Sequence, residues 1–151
     1  MKIFTSLSIL FLIVSQAQAQ LTPYEKNGKN YTATYQECIN YYKLLAKNNS
    51  CVQVKEFGAT DAGYPLHLVL INADNNFSPS KWEAEKKCVL LVNNGIHPGE
   101  PDGIDASMML ARDLCNKIKS KSFSKNISIA IIPVYNIGGM LLRDSFNRPD
   151  Q

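Results

Sequence analysis

The stretch that decides the fold is residues 89–105, which read VLLVNNGIHPGEPDGID. The apolar run at 89–92 is typical of a strand in the middle of a sheet that is covered on both faces. A glycine-bearing loop follows, and apolar residues at helical spacing predict a helix from about 105 to 118. A second apolar strand is predicted over 127–134. Strand, helix and strand in this order form a βαβ unit, so the predicted fold class is α/β with parallel pairing of the two strands.

Elements that lie before this unit are also readable in the sequence. Thr34, followed by Glu37 three residues later, forms a capping-box pattern that predicts a helix ending near residue 48. Residues 52–57 and 66–71 alternate or run apolar across a glycine-containing turn, which predicts a β-hairpin. Residues 72–81 are interpreted as a polar loop. His67 alternates with leucines, so we expect it on the polar face of its strand in a structural role.

The first nineteen residues have the pattern of a signal peptide. Lys2 is followed by an apolar run at 7–14 and by the small-x-small sequence Ala17-Gln18-Ala19. A run of eight residues is too short to cross a bilayer core of about 30 Å. The predicted organisation is therefore a signal peptide at 1–19 and a polar lead-in at 20–33, in a secreted or periplasmic protein that is free of the membrane after cleavage. An uncleaved anchor is the alternative.

Charge and cysteine content limit the classes of partner and site. The net charge is +3, and the lysines are scattered, so we expect no nucleic-acid partner. Export would permit disulfides, and four cysteines allow three pairings between which the sequence does not decide. Free buried thiols are the alternative, because Cys38, Cys88 and Cys115 fall in apolar patterns. No Cys-x-x-Cys spacing supports a cysteine zinc site.

His97 and Glu100 are the candidate metal ligands. They lie three positions apart in the loop that follows a predicted central strand, at the sheet edge where α/β proteins bind ligands. Imidazole nitrogen and carboxylate oxygen are zinc ligands, and a catalytic zinc uses three protein ligands and a water. The alternative is a loop histidine with local hydrogen bonds and a glutamate that favours the helix N-terminus.

Three segments together resemble the M14 family of zinc carboxypeptidases. NNGIHPGEPDGIDASMMLARDL (93–114) is similar to the first metal-binding motif of the family, and GATDAGYPLHLVLI (58–71) to its hairpin. IIPVYNIGG (131–139) resembles the strand and turn that read Pro-x-x-Asn-Pro-Asp-Gly in the family, with Ile137-Gly138 in place of Pro-Asp. The resemblance implies an incomplete mixed sheet with flanking helices, like the first half of a zinc carboxypeptidase domain. Residues 34–151 would be a truncated N-terminal portion of that domain.

This resemblance also implies a function. His97 and Glu100 would be the first two ligands of a Zn²⁺ ion that activates water to hydrolyse the C-terminal bond of a peptide or protein substrate. The third ligand of the family is a downstream histidine and its catalytic residue a later glutamate. No histidine follows His97 and no glutamate follows Glu100, so we expect no catalytic residue in this chain and no activity from it alone.

The candidates for substrate binding are Arg143, Asn147 and Arg148, which stand where the family has a substrate-clamping arginine and an Asn-Arg pair. The match is poor, because the Asp-Leu that should precede the pair is missing, and a loop that only imitates the pair is the favoured interpretation. Two other functions remain open: a related zinc deacylase acting on acyl amino acids or cell-wall peptides, and a non-enzymatic domain of the same fold.

Overall fold

The computed structural model describes residues 20–97 and 99–142. The predicted signal peptide, Pro98 and the three substrate-binding candidates Arg143, Asn147 and Arg148 lie outside these ranges. Within them, no helix has the length and apolar content needed to cross a membrane. The elements in chain order are α1 (Pro23–Lys26), α2 (Tyr35–Asn48), β1 (Val52–Ala59), β2 (Pro65–Asn72), α3 (Pro79–Ala84), β3 (Cys88–Asn93), α4 (Asp102–Lys119), β4 (Ile127–Ile132) and α5 (Ile137–Leu141).

The strands form one mixed sheet in the order β1-β2-β4-β3. β1 and β2 pair antiparallel, as the predicted hairpin requires, with Val54 opposite Val69. β2 and β4 are also antiparallel, whereas β3 and β4 are parallel, with Leu90 opposite Ile129. The α/β class and the parallel βαβ pairing are therefore confirmed.

The strand at 89–92 was predicted to lie in the middle of the sheet. This prediction is wrong for the part of the chain that the structure describes. β3 pairs only with β4 there and forms one edge of the sheet. Val89, Leu90 and Leu91 are 48%, 52% and 58% exposed. An apolar run shows that a strand is hydrophobic but not which elements cover it. Most of this strand is exposed, and Val92 is its residue that packs against the core.

The main core lies between one face of the sheet and helices α2 and α4. Thr34 caps α2, and its hydroxyl accepts from the Glu37 amide while the Glu37 carboxylate accepts from the Thr34 amide, as predicted. α4 begins at Asp102, one turn earlier than predicted. The buried apolar residues of this layer include Tyr42, Leu45, Val69, Ile71, Met108, Ala111, Ile129 and Ile131.

A smaller cluster covers the other face of the sheet. Trp82 of α3 is 3% exposed and packs with Leu70 and Ala130, and its indole N–H donates to the Asn76 carbonyl at 2.7 Å. The prediction that 72–81 is entirely loop is wrong at its end, since α3 begins at Pro79. Helix α3 is short, and a proline at the first position of a helix is compatible with helix initiation.

The structure also decides the burial of His67 and of the cysteines. His67 is 3% exposed and not on a solvent-facing surface, because Glu56 binds its Nε2 at 3.1 Å and the Tyr35 hydroxyl lies 3.2 Å from its Nδ1. These polar neighbours compensate the cost of burying the imidazole. Cys88 is exposed on the edge strand, whereas Cys38 and Cys115 are buried, and all are free thiols in the structure.

The polar lead-in at 20–33 contains a short helix and is joined to the core. Thr22 is fully buried and caps α1 through its own capping box with Glu25. Gln20 is joined to the core helix α2 in both directions, since its amide donates to the Tyr41 carbonyl at 2.9 Å and its carbonyl accepts from the Tyr41 hydroxyl at 3.2 Å. The segment is therefore anchored on the helical layer.

An ion pair joins α1 to α4. Arg112 donates to the Glu25 carboxylate at 2.6 Å, and the side chains are only 14% and 18% exposed. The hydrogen bond from Arg112 holds the pKa of the Glu25 carboxyl below its ordinary value, although burial opposes the shift. The folded state therefore favours the ionised form of Glu25.

We expect this pair to make stability depend on pH. The pKa of Glu25 is lower in the folded state than in the unfolded state. The ion pair therefore stabilises the fold at pH values above the ordinary glutamate pKa of about 4.3, and this stabilisation is lost as pH falls through the lowered pKa. Arg112→Leu should cost about 1–2 kcal/mol near neutral pH, because it leaves a partly buried carboxylate without its partner. Urea unfolding at several pH values measures both effects. Glu83→Gln, on the exposed side of α3, should leave the pH profile unchanged; an unchanged profile in Glu25→Gln would contradict the assignment.

Candidate metal centre

The loop that follows β3 is joined by backbone hydrogen bonds to the end of β4. The Asn94 amide donates to the Ile132 carbonyl at 3.1 Å, which extends the sheet by one residue. Beyond it, the Asn94 carbonyl accepts from the Tyr135 amide at 2.8 Å and the Gly95 carbonyl from the Asn136 amide at 2.9 Å. The start of the loop is thus held before the chain reaches His97.

Gly95 is the point where the chain turns away from the sheet. Its φ is +62°, in the left-handed region that costs side-chain-bearing residues about 1–2 kcal/mol. A Cβ at this position would lie 3.2 Å from Ile104 Cδ1 and 3.3 Å from Val134 Cγ1. The turn therefore requires both the backbone freedom and the small size of glycine.

Asn94 connects the loop to helix α4 through its side chain. It is 7% exposed, and its amide donates to the Ser107 hydroxyl at 2.9 Å. Its Oδ1 lies close to Gly103 in the first turn of α4, where an added Cβ would approach it to 2.8 Å. Asn94 therefore packs the end of β3, the loop and the start of α4 against one another.

His97 and Glu100 face each other across a tight turn. The Glu100 amide donates to the His97 carbonyl at 3.1 Å, and His97 Nδ1 lies 3.2 Å from Glu100 Oε2. The two side chains are 39% and 43% exposed, so solvent reaches both. Glu100 precedes α4 by two residues, and the partial positive charge of a helix N-terminus favours a carboxylate there.

The donor atoms of this pair fit a zinc ion. A tetrahedral zinc with Zn–N and Zn–O bonds of about 2.0–2.2 Å holds its ligand atoms about 3.4 Å apart. His97 Nδ1 and Glu100 Oε2 lie 3.2 Å apart. A small movement of the two side chains would bring this distance to the separation that zinc requires. The same distance also fits a direct imidazole–carboxylate hydrogen bond, which is how the two groups interact without a metal.

Other candidate ligands do not converge on this pair. Across 20–97 and 99–142, no group of three or more His, Cys, Asp or Glu side chains is placed to hold a metal ion. His67, the only other histidine of the chain, is buried in β2 with Glu56 and Tyr35. The described part of the chain therefore offers two candidate donor groups at this position, His97 and Glu100.

Sequence reasoning missed the residues that support the loop. Asn94 and Ser107 form the buried bond described above, and the Asn136 side chain accepts from the Gly139 amide at 2.9 Å to cap α5. Asparagine directly after a strand was the available signal, since its side chain readily bonds to nearby backbone. Ser107 lies thirteen residues after Asn94, and no local sequence pattern predicts the bond between them.

Comparisons with known proteins agree with the fold. The family profile described as zinc carboxypeptidase, peptidase M14, matches residues 38–150. Carboxypeptidase A from Helicoverpa armigera is 23% identical with a TM-score of 0.64, over 80% of this chain and 29% of that one. Bovine thrombin-activatable fibrinolysis inhibitor, solved in complex with tick carboxypeptidase inhibitor, is 16% identical with a TM-score of 0.61, over 78% of this chain and 36% of that one. A search of curated proteins gives no match.

These figures separate fold from function. The matches to solved structures are below 25% identity and establish a shared fold, and the chain spans about a third of the length of those two proteins. The family match covers most of the chain and includes the loop with His97 and Glu100. The chain belongs to the M14 family of zinc carboxypeptidases.

Proposed function

We propose that His97 and Glu100 are two zinc ligands of a secreted metallocarboxypeptidase that hydrolyses the C-terminal bond of peptides or proteins. The observation that carries this proposal is the 3.2 Å approach of His97 Nδ1 and Glu100 Oε2. It occurs in the loop after a parallel strand, where open α/β sheets bind ligands. Family membership and the carboxypeptidase-like fold support the type of hydrolase.

The two residues would have distinct roles in holding the ion. His97 would bind through Nδ1, which must be unprotonated, and Glu100 through Oε2 as a carboxylate. A zinc bound there would supply Lewis-acid activation of water and of the scissile carbonyl. The backbone hydrogen bonds of Asn94 and Gly95 would hold the loop in position before the metal binds. Metal binding would then need little further ordering of the loop.

We further propose that the 151 residues alone bind zinc weakly and do not hydrolyse peptides. Catalytic zinc sites use three protein ligands, and this sequence has two histidines, one of which is the buried His67. No glutamate follows Glu100 to serve as the general base. Substrate binding by Arg143, Asn147 or Arg148 remains a proposal from the family resemblance.

The class of substrate is proposed from the family and from the compared structures. One of those structures is a complex with a carboxypeptidase inhibitor from tick. For this chain we propose a peptide or protein substrate, and no nucleic acid.

Calorimetric titration of the 151-residue chain with Zn²⁺ tests the ligand assignment. We expect binding weaker than micromolar, which His97→Ala and Glu100→Gln each abolish because one donor cannot hold the ion. Circular dichroism should show that both variants stay folded, since both side chains are partly exposed. Glu83→Gln, an exposed carboxylate on α3, is the matched control and should bind as the parent does.

Two outcomes would contradict the proposals separately. Unchanged zinc binding in His97→Ala would rule out His97 as a ligand. Sub-micromolar affinity, or turnover of a peptide substrate by the 151-residue chain, would show that the site is more complete than proposed here.

A further inference from the structure

Four lysines lie together at the end of the molecule opposite the His97 loop, although lysines are scattered along the chain as a whole. Lys117 and Lys119 are in the last turn of α4, Lys121 and Lys125 are in the connection from α4 to β4, and all four are exposed. The His97 loop follows the end of β3, whereas this connection leads into the start of β4, which is parallel to β3. The four lysines, called the lysine cluster below, are therefore at the other end of the sheet.

Backbone hydrogen bonds hold the start of this connection in place. The Lys121 amide donates to the Ile118 carbonyl at 3.0 Å, and the Ser122 amide donates to the Lys117 carbonyl at 2.8 Å. These two bonds form a Schellman motif, in which glycine is the usual residue at the left-handed position. Lys121 occupies that position with a φ of +57°. The chain therefore presents a lysine side chain where glycine would suit the backbone better.

The lysine cluster borders a hollow in the surface. The hollow has a volume of about 480 Å³ and is lined by Ala73, Ile118, Lys119, Lys121, Phe123 and Lys125. Ile118 and Phe123 are partly buried and pack against the main core. They anchor this surface on the fold, so that the lysines are carried by a packed base.

The charge of the lysine cluster is only partly balanced by carboxylates. Lys125 Nζ lies 3.3 Å from Asp74 Oδ1. Asp113, one helical turn before Lys117, binds Arg112 instead. The other three lysines of the cluster form no ion pair with the residues in 20–97 and 99–142. Three ammonium groups at this end of the molecule are therefore available to an external anion.

We propose that the lysine cluster binds a linear sulfated polysaccharide. Lysine recognises anions as a compact point charge, and lysine-rich segments are typical of patches that bind polyanions such as heparin. Sulfate groups repeated along one chain would reach several lysines together, and the released counterions would drive binding as they do for other linear polyanions. A polyanion outside the cell is also the kind that a protein with the predicted signal peptide would meet.

Two other anionic partners fit this surface less well. Binding at a membrane interface uses an apolar face that enters the lipid, and no large apolar side chain of residues 116–126 is exposed. Single-stranded nucleic acid binds through aromatic rings on which bases stack, and the aromatic residue of this segment, Phe123, packs against the core. The surface is therefore suited to an anion that is recognised by charge and spacing alone.

Calorimetric titration of the purified protein with a heparin oligosaccharide, at several salt concentrations, tests the proposal. We expect binding that weakens as salt rises. Lys119→Gln and Lys121→Gln should each weaken it about fivefold, the effect of one lysine near an anionic surface. Each should also reduce the slope of log K against log salt by about 1. Lys26→Gln and Lys29→Gln, exposed lysines of the lead-in, are the controls and should bind as the parent does.

Lys121→Gly separates binding from folding. Because glycine suits the left-handed backbone at this position, the variant should have a Tm no lower than that of the parent and still lose about fivefold in heparin affinity. Lys29→Gly is the matched control, since Lys29 has a φ of +64°. It should behave in the same way in thermal unfolding but keep the affinity of the parent.

Three outcomes would overturn the proposal. The first is that heparin does not bind the parent protein. The second is that Lys119→Gln and Lys121→Gly bind heparin as the parent does. The third is tighter binding of phosphatidylserine vesicles or of single-stranded DNA than of heparin. The lysine cluster and the His97 loop lie at opposite ends of the sheet, so none of these outcomes affects the zinc assignment.

Discussion

Replacing Trp82 by alanine is expected to lower the free energy of unfolding by about 3–5 kcal/mol, in the range of large-to-small core substitutions. Trp82 is 3% exposed and forms the centre of the cluster on the second face of the sheet, where it covers Leu70 and Ala130. Its indole N–H is bonded to the Asn76 carbonyl at 2.7 Å. Because this cluster is small, little else is available to fill the space that the indole leaves.

Urea unfolding followed by circular dichroism measures this effect. Trp82→Phe keeps much of the aromatic contact but removes the indole hydrogen bond, so it should cost less than alanine, about 1–2 kcal/mol. Phe57→Ala is a control for aromatic loss at a half-exposed strand position, 51% exposed, and should cost under about 1 kcal/mol. A loss below about 1 kcal/mol for Trp82→Ala would show that α3 does not stabilise the sheet.

Gly95→Ala is expected to destabilise the protein by about 2–4 kcal/mol and to displace the loop that carries His97. The positive φ alone costs about 1–2 kcal/mol, and crowding against a packed core adds about 1–2 kcal/mol. The crowding arises because the new methyl group would lie 3.2 Å from Ile104 Cδ1 and 3.3 Å from Val134 Cγ1. Both neighbours are fully buried, so neither moves aside freely.

Gly63→Ala separates the two contributions. Gly63 has a φ of +75°, close to that of Gly95, but an added Cβ there meets no atom within 4 Å. It should therefore show the backbone cost alone, about 1–2 kcal/mol. Equal losses for the two variants in denaturant unfolding would mean that contacts around Gly95 contribute nothing. Zinc titration of Gly95→Ala should show weaker binding than that of Gly63→Ala.

Elements with strong local signals were predictable from sequence. The capping box of Thr34 and Glu37 predicts the start of α2 from four residues. The two apolar segments on either side of Gly63 predict the hairpin. In each, the signal and the structure that it describes lie within a few residues of each other. The βαβ order gave the parallel pairing of β3 and β4, because antiparallel pairing would not need a helix between them.

Features that depend on distant residues were not predictable. The open edge at β3 and the burial of His67 depend on which elements pack beside them, and α3 is too short to show helical periodicity. His67 is buried because Tyr35 and Glu56, from another helix and another strand, reach its two ring nitrogens.

The candidate site shows the same division. Spacing placed His97 and Glu100 in one loop, but only the structure gives the 3.2 Å approach of their donor atoms. The supporting contacts from Asn94 to Ser107 and from Gly95 to Asn136 join segments thirteen and forty-one residues apart. No sequence pattern relates these pairs, because each is produced by packing of α4 and β4 against the loop.

The bonds between residues 94–95 and 135–136 couple two loops that are separate in the primary sequence. A substitution in the segment after β4 that shifts Tyr135 or Asn136 would move the Asn94 and Gly95 carbonyls, and with them the imidazole of His97. Substitutions about forty residues away in sequence would therefore change the affinity of the proposed zinc site while leaving both proposed ligand side chains in place.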